Sequence, residues 1–298
     1  MALEQVTNCP ICGSDAFEFF LTCQDHTTTG EPFQLQKCKA CSFVVTSPRP
    51  DQLSIGKYYS SNTYVSHNAR PGSLLDSIYF LVRRFTLRWK SNLLLKFSNK
   101  GSLLDYGCGT GEFLNSCKKE GWDCSGIEPS PIARTIARET TGLSIQENVD
   151  DIENKKFDVI TLWHVLEHVH DLNSLIDQLK QSLAANGMLF IAVPNHEAAD
   201  AKAYKEYWAG YDVPRHLWHF SKETMTLLLR NHDFRIKAIL PMKLDSTYVS
   251  LLSEKYRSQG KQTLNGLLRA LINGLNSNIK AASKNNYSSL IYVCTPEK

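Results

Sequence analysis

The sequence predicts an α/β protein built on a doubly wound, Rossmann-like parallel sheet, preceded by a small metal-binding module. Three observations carry that reading. From Ser102 onward, apolar segments of strand length alternate with segments of helical period, the order expected of a parallel sheet covered on both faces. The first of these strands, Leu103-Leu104-Asp105-Tyr106, runs directly into Gly107-Cys108-Gly109-Thr110-Gly111. Two Cys-x-x-Cys pairs, Cys9/Cys12 and Cys38/Cys41, stand near the start of the chain.

The cysteine pairs define the first segment, residues 1–50. Cys9-Pro10-Ile11-Cys12-Gly13 and Cys38-Lys39-Ala40-Cys41-Ser42 each read as a knuckle, a tight turn that aims two thiolates at one point. Two knuckles gather four sulfurs, the donor set of tetrahedral structural zinc. Phe17–Leu21 and Phe33–Gln36 read as the strands of a hairpin between them. So short a segment has little core of its own, so metal would supply much of its folding energy. A redox Cys-x-x-Cys would need a helix N-terminus and a βαβ setting, which this stretch lacks. Cys23 and His26 read as bystanders.

Residues 51–100 form a linker. Pro48-Arg49-Pro50 closes the module, an aromatic stretch from Tyr58 to Tyr64 follows, and Pro71-Gly72 marks a turn. Residues 73–98 carry Leu74, Ile78, Leu81, Val82, Phe85 and Trp89 at helical spacing, a face for packing on the next domain. The domain at 101–298 then reads as strands at 102–106, 123–128, 143–146, 157–162 and 187–193, with helices at 111–120, 130–140 and 171–185. Pro131 suits a first helical turn after Ser130, and Ser221 suits the N-cap of a helix at 222–231. Strands return at 234–240 and 289–294, separated by a helical insert at about 246–284.

In an open α/β sheet, ligands bind beyond the carboxyl ends of the strands. Glycines at alternate positions after the first strand let backbone N–H groups approach a ligand, and the following helix aims its positive end at the same place. The second strand ends in Gly126-Ile127-Glu128, an acid placed to accept both hydroxyls of a ribose. The pattern Asp105-x-Gly-x-Gly-x-Gly111 resembles motif I of the class I S-adenosylmethionine (SAM)-dependent methyltransferases, and the likeness runs on through Glu128, Phe157-Asp158-Val159-Ile160 and Leu166-Glu167-His168-Val169. A nicotinamide fingerprint, G-x-G-x-x-G, would place its third glycine one residue later. The resemblance implies a seven-stranded sheet and SAM as cofactor. It sets Gly107, Gly109 and Gly111 against the methionine portion, with Asp105 holding the loop. It puts Glu128 on the ribose, Asp150 near the adenine and Trp163 on the cofactor side.

The fourth strand leads into Trp163-His164-Val165-Leu166-Glu167-His168. His164-x-x-Glu167-His168 also matches the H-x-x-E-H pattern of zinc proteases, but that chemistry needs the motif on a long helix. The better resemblance is to quinone O-methyltransferases and to sugar C-methyltransferases with an N-terminal cysteine module. It makes His168 a candidate general base, since an imidazole titrates near neutrality. Glu167 would orient a neighbour. His164 stands where the quinone enzymes carry an acid, a departure from their metal-assisted pattern, although a second metal at His164, Glu167 and His168 stays open.

The stretch after the fifth strand should hang over the mouth of the site. Its Asp212-Val213-Pro214-Arg215-His216 is similar to an element of the zinc-module group. Arg215 would clamp a phosphate or carboxylate, with His216, Tyr211 and Tyr64 on the substrate side; Tyr58, Tyr59 and His67 are further candidates. Trp208 and Trp218 are expected to cover a seam against the N-terminal module.

Composition narrows the partners. The chain has 298 residues, 42% hydrophobic and 21% charged, with a formal charge of +3. No Lys/Arg block of nucleic-acid footprint size is present, and in the module Lys37, Lys39 and Arg49 are outnumbered by Glu4, Asp15, Glu18, Asp25 and Glu31. An RNA-directed enzyme is therefore the weaker alternative, and a non-catalytic scaffold would be expected to have lost the glycine loop or Glu128. Neither Asn/Asp-Pro-Pro-Tyr nor Pro-Cys follows strand four, which disfavours methylation of nucleic-acid bases. No apolar leader or spanning segment stands out. The expectation is a cytoplasmic SAM-dependent methyltransferase acting on oxygen or carbon of a small molecule, with no membrane partner.

Overall fold

The computed structural model describes residues 2–59, 85–152, 155–261 and 263–297. Five strands come first: β1 (Leu3–Glu4), β2 (Phe17–Gln24), β3 (Pro32–Cys38), β4 (Val44–Thr46) and β5 (Arg49–Pro50). A helix, α1, is described over 85–94, within the span where the sequence places a packing helix. Strand and helix then alternate through β6 (Ser102–Tyr106), α2 (Glu112–Lys119), β7 (Asp123–Ile127), α3 (Pro131–Thr141), β8 (Ile145–Gln146), β9 (Phe157–Trp163), α4 (Leu172–Ser182) and β10 (Leu183–Pro194). The remainder is α5 (Ala199–Tyr204), β11 (Trp218–His219), α6 (Lys222–Asn231), β12 (Phe234–Pro241), α7 (Asp245–Arg257), α8 (Leu264–Ala282) and β13 (Ser289–Pro296).

Seven strands form one sheet in the order β12-β13-β10-β9-β6-β7-β8. β6 lies at its middle, parallel to β7 on one side and β9 on the other. Local chemistry sets the helix limits. Ser130 caps α3 with Pro131 in its first turn, and Gly142 ends it in the left-handed region, at φ 64°. Ser221 caps α6 in a reciprocal pair with Thr224. α4 stops at Ser182, short of the expected 185, although Ala184 and Ala185 are good helix formers. Gly187 shows what overrides propensity there: a Cβ on it would lie 2.9 Å from the Phe157 carbonyl oxygen, so the backbones already press together at that point.

The chain divides into two compact units. One gathers Asn62–Trp163, Ser174–Ile191 and Cys294–Lys298. Its core is the inner sheet: Leu103, Leu104, Val159, Ile160, Leu162 and Ile127 are fully buried. β-branched and leucine side chains on both faces are what a sheet covered on both sides requires.

The other unit gathers Met1–Ser61, His164–Asn173 and Ala192–Val293. Its four-stranded sheet has the order β11-β4-β3-β2, so Trp218 and His219 extend the sheet of the cysteine module, opposite Val45 and Val44. Below it, Cys23, Phe33, Leu35 and Val44 share one hydrophobic cluster with Tyr204, Trp208, Tyr211 and Val213. Trp218 stacks on Phe43, and the Arg49 guanidinium lies 4.2 Å over its ring. Both tryptophans therefore cover the seam expected of them. Among the described residues, no helix is long and apolar enough to cross a membrane.

Candidate functional site

In the first unit the site begins where β6 ends. Gly107, Gly109 and Gly111 have φ values of 71°, 56° and 79°, all in the left-handed region that costs glycine little. The Gly107 and Cys108 N–H groups donate to the Ile127 carbonyl (2.8 and 2.9 Å), which ties the loop to the end of β7. Glu128 follows Ile127 immediately and completes the latch. Its Oε2 accepts the Gly109 N–H at 2.8 Å, and its Oε1 accepts the Ser130 N–H at 2.9 Å. Each carboxylate oxygen keeps a second lone pair, enough for two ribose hydroxyls. Burial raises the Glu128 pKa from its ordinary value, against the pull of those two N–H donors.

Among the described residues, space is left open at Gly109. Nothing lies within 4 Å of where a Cβ on Gly109 would project, whereas a Cβ on Gly111 would meet Thr141 Cγ2 at 2.8 Å. Gly109 thus leaves room for a ligand, and Gly111 lets α2 approach α3. α2 starts with no side-chain cap, and a helix start is a place where backbone N–H groups can meet an acceptor. Asp105 is buried beneath the loop, accepts the Thr161 hydroxyl at 2.6 Å, and is pushed up to about 7 by burial. Trp163 packs edge-on against Phe113, with the Lys90 ammonium 4.3 Å over its ring. Asp150 falls in a single 3-10 turn, Val149–Ile152, and its side chain lies outside the described residues. Tyr64 and His67 also lie outside them.

The second unit holds the histidines. His164 has a φ of 58°, and the following 3-10 turn, Leu166–His168, is three residues long, so H-x-x-E-H does not lie on a long helix and the protease reading falls. His164 Nδ1 meets Glu167 Oε1 at 3.3 Å and its Nε2 meets Asp245 Oδ2 at 3.0 Å. Burial works against its charge, but the two carboxylates outweigh it and raise its pKa to about 9. His168 is the opposite case: burial, then the neighbouring His216, lower it to about 4. Its Nδ1 lies 3.0 Å from the Arg215 carbonyl, which can only accept, so the proton sits on Nδ1 and Nε2 keeps its lone pair. The Tyr59 hydroxyl is also 3.0 Å from that Nδ1. His216 is set the same way, its Nδ1–H donating to the Gly210 carbonyl at 2.8 Å.

Glu167 Oε2 is buried and has no hydrogen-bond partner among the described residues. A carboxylate oxygen of Glu167 lies with ring nitrogens of His168 and His216 in a set whose donor atoms are all within 4.8 Å of one another. That set could share a proton or hold a cation. It takes His216 where the sequence had suggested His164.

Arg215 does not present the open guanidinium that an anion clamp would need. Its Nε and Nη2 donate to Asp212 (2.9 and 2.7 Å), Nη2 also to Asp25 (3.1 Å), and Nη1 to the Tyr58 carbonyl and Thr28 Oγ1 (3.0 and 3.3 Å). All five N–H groups are spent inside the protein. Tyr211 is 4% exposed and packs edge-on against Trp208 and His219. A cavity beside it, bounded in part by Trp208, Asp212, Arg215 and Tyr256, measures about 10 Å³, room for one water.

The four module cysteines converge. Cys9 Sγ is 3.5 Å from Cys41 Sγ, Cys12 Sγ is 3.5 Å from Cys38 Sγ, and all four lie within 4.8 Å of one another. Tetrahedral zinc at about 2.3 Å from each sulfur sets sulfurs about 3.8 Å apart, so the donor set fits that ion. The knuckles match in backbone: Gly13 N–H donates to the Cys9 carbonyl and Ser42 N–H to the Cys38 carbonyl, each at 2.9 Å. Cys23 packs in the hydrophobic cluster instead.

Residues 80–239 match the model of a methyltransferase domain, more than half of the chain. The chain belongs to that methyltransferase family. Its relatives include a ubiquinone biosynthesis O-methyltransferase of Actinobacillus pleuropneumoniae, 38% identical over 107 residues, which cover 31% of this chain and 45% of that protein. The enzyme of the same description from Rickettsia prowazekii is 30% identical over 137 residues, 42% of this chain and 53% of that one. The chain thus spans about half the length of the curated relatives it matches. Among solved structures, magnesium protoporphyrin IX methyltransferase from Synechocystis PCC 6803, with bound SAH, aligns over 83% of this chain and 100% of that one at a TM-score of 0.55 and 12% identity, a likeness of fold. Residues that this methyltransferase chain uses and the sequence did not single out are Asp25 and Asp245. Asp25 carried a local signal: an Asp followed by Thr27-Thr28-Thr29-Gly30 is an Asx-type turn, and its carboxylate accepts all three threonine N–H groups. Asp245 carried none, since its partner His164 is 81 residues away.

Proposed function

We propose that this methyltransferase binds SAM on the Gly107–Gly111 loop and methylates oxygen or carbon of a small molecule. One observation carries the reading: Glu128, an acid at a strand end, is latched to the glycine loop with one lone pair left on each oxygen. The open space over Gly109 and the uncapped start of α2 fit the methionine portion, and Asp105 stiffens the loop from below. We assign Trp163 and Asp150 as further neighbours of the cofactor. When bound, SAM supplies a methyl group already activated on a sulfonium, so positioning and exclusion of water do most of the work.

His168 is the residue we assign as general base. Burial and His216 keep it neutral at physiological pH and make it a weaker base than a free imidazole, and the Arg215 carbonyl holds its tautomer with the Nε2 lone pair available for a proton from a hydroxyl or an activated carbon. Arg215 acts as a strap for that backbone, bound to Asp212 and Asp25, rather than as an anion clamp. His216, beside His168 at 4.6 Å between ring centroids, and Tyr211 shape the acceptor side. Cys9, Cys12, Cys38 and Cys41 hold a structural zinc. The relatives named as ubiquinone biosynthesis O-methyltransferases support a small-molecule acceptor methylated on oxygen.

Two measurements test the proposal. Calorimetric titration with SAM and S-adenosylhomocysteine should show binding that Glu128→Ala weakens about tenfold or more, as expected for charge-assisted hydrogen bonds. A folded protein that binds neither would end the SAM reading. Metal analysis should find about one zinc per chain, lost on Cys38→Ser and retained on His216→Ala. A second equivalent lost on His216→Ala would assign the Glu167–His168–His216 set to a cation and remove His168 from the role of base.

A further inference from the structure

α8 is amphipathic in an inverted sense. Its small residues Ala270, Gly274, Ser277 and Ala281 are the buried ones. Its large apolar residues Leu264, Leu268, Leu271, Ile272, Leu275 and Ile279 are 45–73% exposed. Their spacing of three and four puts them on one helical face. The buried stripe seats the helix on its own unit: a Cβ on Gly274 would lie 2.8 Å from Thr247 Cα, Ser246 Oγ donates to the Gly274 carbonyl, and Ser277 Oγ donates to Asp200. At 45–73% exposure this face stays largely open to solvent, and a contiguous apolar face of this kind marks an interaction surface.

Charge selects the occupant. From Lys255 to Lys284 the chain carries Lys255, Arg257, Lys261, Arg269, Lys280 and Lys284 and no Asp or Glu. All six side chains are exposed, with Arg257 paired to Glu254 at 3.0 Å. A second copy docked through the same face would bring these cations against their own counterparts, with no acid on the helix to pair them. Anionic lipid headgroups complement both features, since an interfacial helix buries its apolar face at the acyl boundary and keeps Lys and Arg among the phosphates.

We propose that α8 docks this methyltransferase on an anionic membrane surface. The inference stands apart from the SAM site and from zinc. It also revises the expectation of no membrane partner, which rested on the lack of a spanning segment: an interfacial helix spans nothing.

Flotation of the full zinc-loaded chain with vesicles provides the test. Phosphatidylcholine vesicles containing phosphatidylglycerol should carry the protein, and pure phosphatidylcholine vesicles should carry about tenfold less. Binding should fall as salt rises toward about 0.5 M, where the Debye length shrinks to a few ångströms. Leu271→Gln with Leu275→Gln, and separately Arg269→Glu with Lys280→Glu, should each lower partitioning about tenfold or more, while SAM affinity and zinc content stay unchanged. Folded wild-type protein that stays out of anionic vesicles overturns the proposal, as does vesicle binding that neither double variant alters. A concentration-dependent dimer in sedimentation velocity, abolished by the leucine variant without any vesicle binding, would give the face to a second copy instead.

Discussion

Gly109 and Gly111, only two residues apart in sequence, show how the donor loop is specified. Both Gly109 and Gly111 have positive φ, so alanine at either pays a backbone penalty of about 1 kcal/mol. At Gly109 nothing else is met, because the added Cβ points into open space. At Gly111 the Cβ also runs into Thr141 and Ala137, and overpacking adds to the strain. Gly109→Ala should therefore cost about 1 kcal/mol of stability and yet weaken SAM binding about tenfold or more. Gly111→Ala should cost about 2–4 kcal/mol, with most of its effect in unfolding. Chemical denaturation alongside SAM titration of both variants checks this; equal stability losses would show that the packing difference is not real. The three glycines and Glu128 were legible because their chemistry is local to a strand end. The use of Arg215 was not, since Asp25 is 190 residues away and no spacing rule links them.

At the scale of an element, α8 separates the side chains that hold a helix from those that serve another surface. Gly274→Val should destabilise by about 2 kcal/mol, because the new side chain meets the backbone of α7 at Thr247. Leu271→Gln should cost much less, about 0.5 kcal/mol, because Leu271 is already 45% exposed. Thermal melts of the two variants give the answer, and a large loss for Leu271→Gln would mean that the leucine face is core. Helical spacing of Leu and Ile in the insert was plain in the sequence. Which face turns inward was not, because an apolar stripe ordinarily reads as the buried one. The cysteine module gives a second case: its hairpin and knuckles follow from local pattern, but β11 completes its sheet from residues 218–219, far along the chain.

For the molecule as a whole, buried histidines set the response to pH. His164 has its pKa raised to about 9, so its contribution is fully present below its unfolded value of 6.5 and is lost as pH rises through about 9. His168 and His196, both lowered to about 4, act on the other side. The unfolded chain takes up protons at these positions between about 6.5 and 4 while the folded chain does not, so their contribution falls as pH drops through that window, with Asp105, raised to about 7, acting the other way. The melting temperature should peak near neutral pH and decline toward both limits. His164→Gln should flatten the alkaline limb alone, and an unchanged limb in that variant would show that the His164–Asp245 pair does not control it.

The sequence by itself determined the alternation of strand and helix, the glycine loop with its acid, and the four-sulfur donor set. Each is written within a few tens of residues, where backbone sterics, periodicity and ligand spacing act. Tertiary structure alone decided the rest: the latch of Glu128 onto Gly109, the tautomer of His168, the spent donors of Arg215 and the outward face of α8. Those depend on burial and on partners far away in the chain, and burial is a property of the packed fold, not of any one segment.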